Sequence, residues 1–127
     1  IEGAYAWQSF LAQGTIVASG SDFPVESANP FLGIYASITR KDVQGSPLNG
    51  WYPEEAMDRV QTLKSFTLDA AYAGFLEGVL GSLESGKWAD FIIIDQDIVT
   101  APDSMLWQTK VLQTWVAGEK VFDISSE

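Results

Sequence analysis

The sequence predicts an α/β chain in two parts, and three observations carry that prediction. A short helical pattern near the start runs through a glycine into a buried-strand pattern. A long stretch rich in glycine and proline then holds one further helix. Beyond Leu80 the pattern turns to β, with alternation broken by turn residues.

The elements follow in chain order. Ala4 to Gln13 alternates small and aromatic residues at helical spacing, and Gly14 supplies a left-handed stop. Thr15 to Ser19 is a β-branched and small-residue run that suits a strand buried on both faces, as in a parallel sheet. From Gly20 to Pro53 breakers dominate, so a long loop is expected, except at Pro30 to Arg40. There Asn29 can cap a helix and Pro30 suits its first turn. Its aromatics Phe23, Phe31, Tyr35, Trp51 and Tyr52 favour an ordered loop packed over a pocket.

Pro53-Glu54-Glu55 reads as a helix start, and helix is expected from Asp58 to Phe75 with a break near Thr67. Val60, Leu63, Phe66, Ala70 and Ala73 fit the buried side of that helix. Three strands follow, at Asp90 to Asp95, Lys110 to Val116 and Glu119 to Ile124. The last two join through Ala117-Gly118, and Gln96 to Gln108 is a connector. A boundary near Gly78 divides the chain into residues 1–78 and 79–127.

Composition narrows the function classes. Apolar residues at 46% argue for a packed fold rather than disorder. Seventeen acidic against seven basic residues give a net charge of −10, which repels phosphate backbones and anionic lipid, so neither nucleic acid nor membrane is an expected partner. No stretch approaches the roughly 18 apolar residues of a membrane span. Ile1-Glu2-Gly3 lacks Met and a signal-peptide pattern, so the start looks cut from a longer chain. Neither Cys nor His occurs, which removes the thiolate and imidazole ligands of most transition-metal sites.

One carboxylate stands out. Asp22, in Gly20-Ser21-Asp22-Phe23-Pro24, directly follows the buried-strand pattern, where barrel enzymes place catalytic groups. There it could ligate a divalent metal and accept a proton from activated water. Ser-Asp between Gly and Pro is equally good turn chemistry, with the side chain bonding nearby backbone N–H groups. Arg40 could reach a substrate carboxylate, although a solvated helix end is the commoner role for such a residue. Phe23 and Trp51 could line an apolar substrate pocket or simply pack the loop. Lys87 reads as an exposed turn lysine, Asp90 and Asp95 as solvated strand ends. Glu54 and Glu55 read as charges at a helix N-terminus rather than an acid/base pair.

Longer segments carry a resemblance. Gly81-Ser-Leu-Glu-Ser-Gly-Lys-Trp-Ala-Asp90 leads into Phe91-Ile-Ile-Ile-Asp95. Upstream lie Gly20-Ser-Asp-Phe-Pro-Val25, Asn29 to Arg40, Gly50 to Glu55 and Thr67 to Ala73. In this order and spacing they resemble the metal-dependent amidohydrolase superfamily, and within it amidohydrolase family 3, the group that includes N-substituted formamide deformylase. Ser85 departs from that pattern, standing where the family usually has Pro.

The resemblance spans about Ala4 to Phe122 and implies the C-terminal fragment of a TIM-like (β/α)8 barrel followed by strands of a small composite β-sandwich. It implies hydrolysis of carbon–nitrogen bonds other than peptide bonds in a small amide or formamide, with a deaminase close behind. It makes Asp22 the metal-site residue and proton acceptor. The implied divalent metal, zinc being the expectation, needs His ligands from the upstream part of the same polypeptide, so the chain alone is expected to be inactive. The alternative is a stand-alone, non-catalytic α+β binding or structural module. Either way, exposed barrel surface favours a homo-oligomer.

Overall fold

The computed structural model describes residues 3–126, so the reading of Ile1 and Glu2 as an internal start lies outside it. Helix α1 (Trp7–Ala12) has no side-chain cap of its own and borrows one. Glu55, in the 3-10 turn Pro53–Glu55, accepts from the Ser9 backbone N–H at 2.9 Å and from the Ser9 hydroxyl at 2.5 Å. Helix α2 (Pro30–Thr39) begins as its sequence dictates: Asn29 Oδ1 accepts from Phe31 N at 3.0 Å, and Pro30 fills the first turn. Helix α3 (Arg59–Ser65) opens on a reciprocal capping box between Asp58 and Gln61, and α4 (Leu68–Ala73) follows after the expected break at Thr67.

Strands β1 (Phe91–Ile94), β2 (Val111–Val116) and β3 (Glu119–Asp123) form one antiparallel sheet in that order. Phe91 pairs with Trp115, and their rings stack at 5.5 Å. Ala117 (φ +50°) and Gly118 (φ +81°) make the tight turn between β2 and β3, both in the left-handed region that such a two-residue hairpin requires. Asp90 and Asp95 are more than solvated ends. Asp90 accepts from Ala117 N at 2.6 Å and Asp95 from Lys110 N at 2.9 Å, so each carboxylate adds a rung to the ladder.

The core is small and spans both halves of the chain. Phe31, Ile34 and Tyr35 of α2, Met57, and Leu106 of the 3-10 turn Asp103–Gln108 are buried, and α2 packs on that turn. Arg59 reinforces the junction by bonding the backbone carbonyls of Ile98 and Ala101 and pairing with Asp103.

Two expectations fail for one reason. Thr15 to Ser19 forms no strand, because no strand among the described residues lies beside it to pair with it. Ser19 N donates to Ser65 O at 3.0 Å, but Ile16, Val17 and Ala18 make no backbone hydrogen bond among the described residues. The buried side assigned to the third and fourth helices is also displaced. Val60 is 67% and Leu63 38% exposed, and Ala73 is exposed, whereas the polar Thr62, Ser65 and Asp69 are buried. Phe66 and Ala70, also assigned to that side, are half-buried, and α2 packs on α3.

The surface area agrees. The chain exposes 8272 Å², whereas a self-contained 13.9 kDa globule exposes about 6,700 Å².

Gly81 opens the Gly-Ser-Leu-Glu turn at φ +87°, and a Cβ built there lies 2.7 Å from Ala71 Cβ and 2.9 Å from Leu68 Cα. Substituting Gly81→Ala combines left-handed strain with a clash against α4. We predict a loss of about 1–3 kcal/mol in urea unfolding; an unchanged midpoint would show that this turn does not depend on the close approach.

Candidate functional site

Asp22 is placed by its neighbours. The Ser19–Ser65 bond pins the end of the extended segment to the end of α3, and the chain then turns. Val25 N donates to Asp22 O at 2.8 Å, and Asp22 takes φ +50°, a region Asp tolerates better than most residues. The carboxylate is exposed and makes no hydrogen bond or ion pair with another described residue. True turn aspartates in this chain behave differently. Asp42 accepts from Gln44 N and Ser46 N, at 3.0 and 2.9 Å, and Asp97 accepts from Val99 N at 2.9 Å. Asp22 holds a turn conformation without using its side chain for turn chemistry. Beside it a cavity of about 410 Å³ is walled by Gly20, Ser21, Glu26, Leu32 and Gly33 among others.

Arg40 departs most from expectation. It is 6% exposed rather than solvated, and it ends α2 in the left-handed region at φ +58°. Its Nε donates to Trp51 O at 2.9 Å and its Nη1 to Tyr5 O at 3.1 Å. The guanidinium lies over both the Trp7 and Trp51 rings, 4.5 and 4.9 Å from their centroids. Nη2 is buried without a hydrogen-bond partner among the described residues. Burial pushes the Arg40 pKa down, opposed through space by Glu55 and Glu54. Tyr5, Trp7, Ala36, Arg40, Lys41 and Trp51 line an open cavity of about 370 Å³.

Of the sequence-predicted residues, Arg40 and Trp51 are therefore brought together. Phe23 is 68% exposed and lines neither cavity, and Asp22 adjoins the first cavity without lining it. Ala36 of α2 lines both cavities and links them.

Residues 1–122 match the model of the amidohydrolase family. The chain belongs to that family. It is 32% identical over 122 residues to the protein LONG AFTER FAR-RED 3 of Arabidopsis thaliana, covering 96% of this chain and 20% of that protein. It is 31% identical over 111 residues to N-substituted formamide deformylase of Arthrobacter pascens, covering 87% of this chain and 20% of that enzyme. A crystal structure of an amidohydrolase from Thermotoga maritima superposes with a TM-score of 0.68 at 20% identity, covering 94% of this chain and 26% of that one, a likeness of fold. The amidohydrolase chain thus spans about a fifth of the length of these curated relatives.

Within this amidohydrolase chain the donor set does not fit a metal ion by itself. It has no His or Cys, and no three Asp or Glu side chains converge among the described residues.

Two residues of the family-like segments have roles that local pattern hid. Lys87, expected in solvent, is 13% exposed; its Nζ donates to Leu80 O at 3.2 Å and Ser82 Oγ at 2.6 Å and pairs with Glu84 at 3.3 Å, closing the turn. The only sequence signal was its place inside the Gly-Ser-Leu-Glu-Ser-Gly-Lys run. Glu55 serves a helix N-terminus as expected, but that of α1, 46 residues away.

Its bond to the Ser9 hydroxyl, then to the Ser9 N–H, holds the Glu55 carboxyl below its usual range. A lowered folded-state pKa stabilises above the unfolded value, about 4.3, and the contribution is lost as pH falls through the lower folded value. We predict that Glu55→Gln melts lower than the parent at pH 6 and that the gap closes on acidification below about pH 4. A gap independent of pH in thermal melts would remove this carboxylate from the account.

Proposed function

We propose that this chain is the C-terminal part of a hydrolase acting on carbon–nitrogen bonds other than peptide bonds. Residues 1–78 would belong to the last part of a TIM-like catalytic barrel and 79–127 to a composite β-sandwich. The observation that supports this most is the family match over residues 1–122, which takes in the Gly20-Ser-Asp segment, joined to a free Asp22 carboxylate at the end of an unpaired strand-like run. The amide or formamide reaction named for the Arthrobacter relative is the reading carried to this chain.

In the complete enzyme, water adds to the amide carbonyl carbon. Asp22 accepts the proton that water loses, the carbon–nitrogen bond breaks, and the proton passes to the departing amine nitrogen. The acid and the free amine are the products. Asp22 would also offer one carboxylate oxygen to a divalent ion, zinc being the first expectation, whose other ligands come from outside this chain. Arg40 and Trp51 would contact the substrate; Phe23, exposed beside Asp22, would do so only where further chain covers it.

A free-standing binding module fits less well, because it leaves an extended segment unpaired on both edges and an apolar helix face in water. Self-association of the isolated chain is part of the same proposal.

The test uses the native polypeptide that carries this chain, assayed on formanilide. Asp22→Asn there should lower kcat by about 10²–10⁴-fold with an unchanged melting temperature, and the 127-residue chain alone should show no turnover. Turnover by the isolated chain, or an Asp22→Asn enzyme at full rate, would contradict the proposal.

A further inference from the structure

Arg40 orders a set of aromatic rings. Its buried guanidinium bonds the carbonyls of Trp51 and Tyr5 and lies 4.5 and 4.9 Å from the ring centroids of Trp7 and Trp51. Tyr5 in turn meets the two indoles edge-on, at 6.1 and 5.9 Å. A cation held inward in this way offers no donor to a ligand. What it does is fix the aromatic walls of the cavity of about 370 Å³ that they form with Ala36, and those walls present carbon. The cavity of about 410 Å³ begins at Ser21, next to Asp22, and has Leu32, Gly33 and Phe66 on its walls. A Cβ built on Gly33 would lie 2.8 Å from the Phe66 ring, so that side is closed by direct contact. Ala36, half-buried, lines both cavities. Gly33, Ala36 and Arg40 stand three and four residues apart, on one face of α2, so a single helix face passes from one cavity to the other.

We infer that the two cavities form one trough along α2, which holds a neutral apolar arm of the substrate with its aromatic end among Tyr5, Trp7 and Trp51, and that Ala36 is the specificity-determining residue where the arm passes. The inference rests on the hydrolase reading above and narrows its substrate class to amides carrying such an arm. Helix α2 sets the length. Gly33 lies seven residues before Arg40, so the arm reaches about 10 Å along the helix. The bond that breaks lies at the Ser21 end, beside Asp22. The far end contributes binding alone, through apolar surface removed from water and contact between rings. Alanine keeps α2 helical and leaves the passage its greatest width short of glycine, whereas a larger side chain at this position stands in the arm's way.

The test is binding to the native polypeptide that carries this chain, with Asp22→Asn in place so that no ligand is turned over. N-(4-phenylbutyl)formamide, whose ring can reach the aromatic cavity, and formanilide, whose ring stays beside the amide, are titrated by calorimetry. The phenylbutyl compound is expected to bind about ten- to a hundredfold tighter. Ala36→Leu, which suits a helix interior, should weaken the phenylbutyl compound at least about tenfold more than formanilide, with an unchanged melting temperature. Trp51→Leu keeps the carbonyl that Arg40 uses and should show the same preference in its loss. Equal affinity for the two compounds, or a loss in Ala36→Leu that is the same for both, would overturn the inference. Turnover is read separately, in the polypeptide with Asp22 intact, where Ala36→Leu should raise KM for the phenylbutyl compound more than it lowers kcat. Turnover without the binding difference would overturn the trough and leave the hydrolase reading standing. A binding difference without turnover of either compound would contradict the hydrolase reading, and with it the arm's place in a substrate.

Discussion

Backbone pairing is the constraint on which the rest of this structure depends. An extended segment is held by backbone bonds to its neighbours, and Ile16, Val17 and Ala18 make none among the described residues; one bond from Ser19 to the end of α3 fixes the segment at its far end. Everything that follows in the chain inherits that attachment. The turn carrying Asp22 begins three residues later, and the cavity beside it is closed by α2, which itself rests on α3. The apolar face of α3 and the open edges of Thr15 to Ser19 are the same deficit seen twice: surface shaped for contact and left in water.

What order the chain does have comes as much from polar staples as from its core. Among the described residues only five large apolar side chains are buried, too few to specify how two halves of a chain meet. Two arginines supply the missing specification by bonding carbonyls of distant segments. Arg40 ties the stretch before α1 and the loop at Trp51 to the end of α2, while Arg59 ties α3 to the connector between β1 and β2. The two differ in their charge balance. Arg59 has Asp103 against it, whereas Arg40 has aromatic faces and backbone carbonyls, with Glu55 and Glu54 acting on it only through space. A buried cation in that condition is informative, because its cost must be offset by a partner or a role.

Where residues act on near neighbours, the sequence was readable. Asn29 and Pro30 begin α2, Thr67 breaks the helical run, and Ala117-Gly118 turns the hairpin, each through interactions within a few residues. Contacts made across the chain were not readable. Arg40 looks like a solvated helix end until Tyr5, Trp7 and Trp51 close over it. Glu55 caps a helix it does not belong to, and Lys87 folds back onto Leu80. The buried face of α3 departs from its apolar one because periodicity reports which side is apolar, not which side finds a covering element. Asp22 was legible by position, after a strand-like run and inside an ordered series of family-like segments. Phe23, expected to line an apolar pocket, faces solvent.

The measurement that tests the central claim most directly is amide hydrogen exchange at Ile16, Val17 and Ala18, in this chain and in the native polypeptide that carries it. The account predicts rapid exchange in the isolated chain and strong protection, about a thousandfold or more, in the native polypeptide, where flanking strands take up these amides. Equal protection in both would mean that the segment is paired within these 127 residues, and equal exposure in both would mean that it is never a strand; either result would contradict the account.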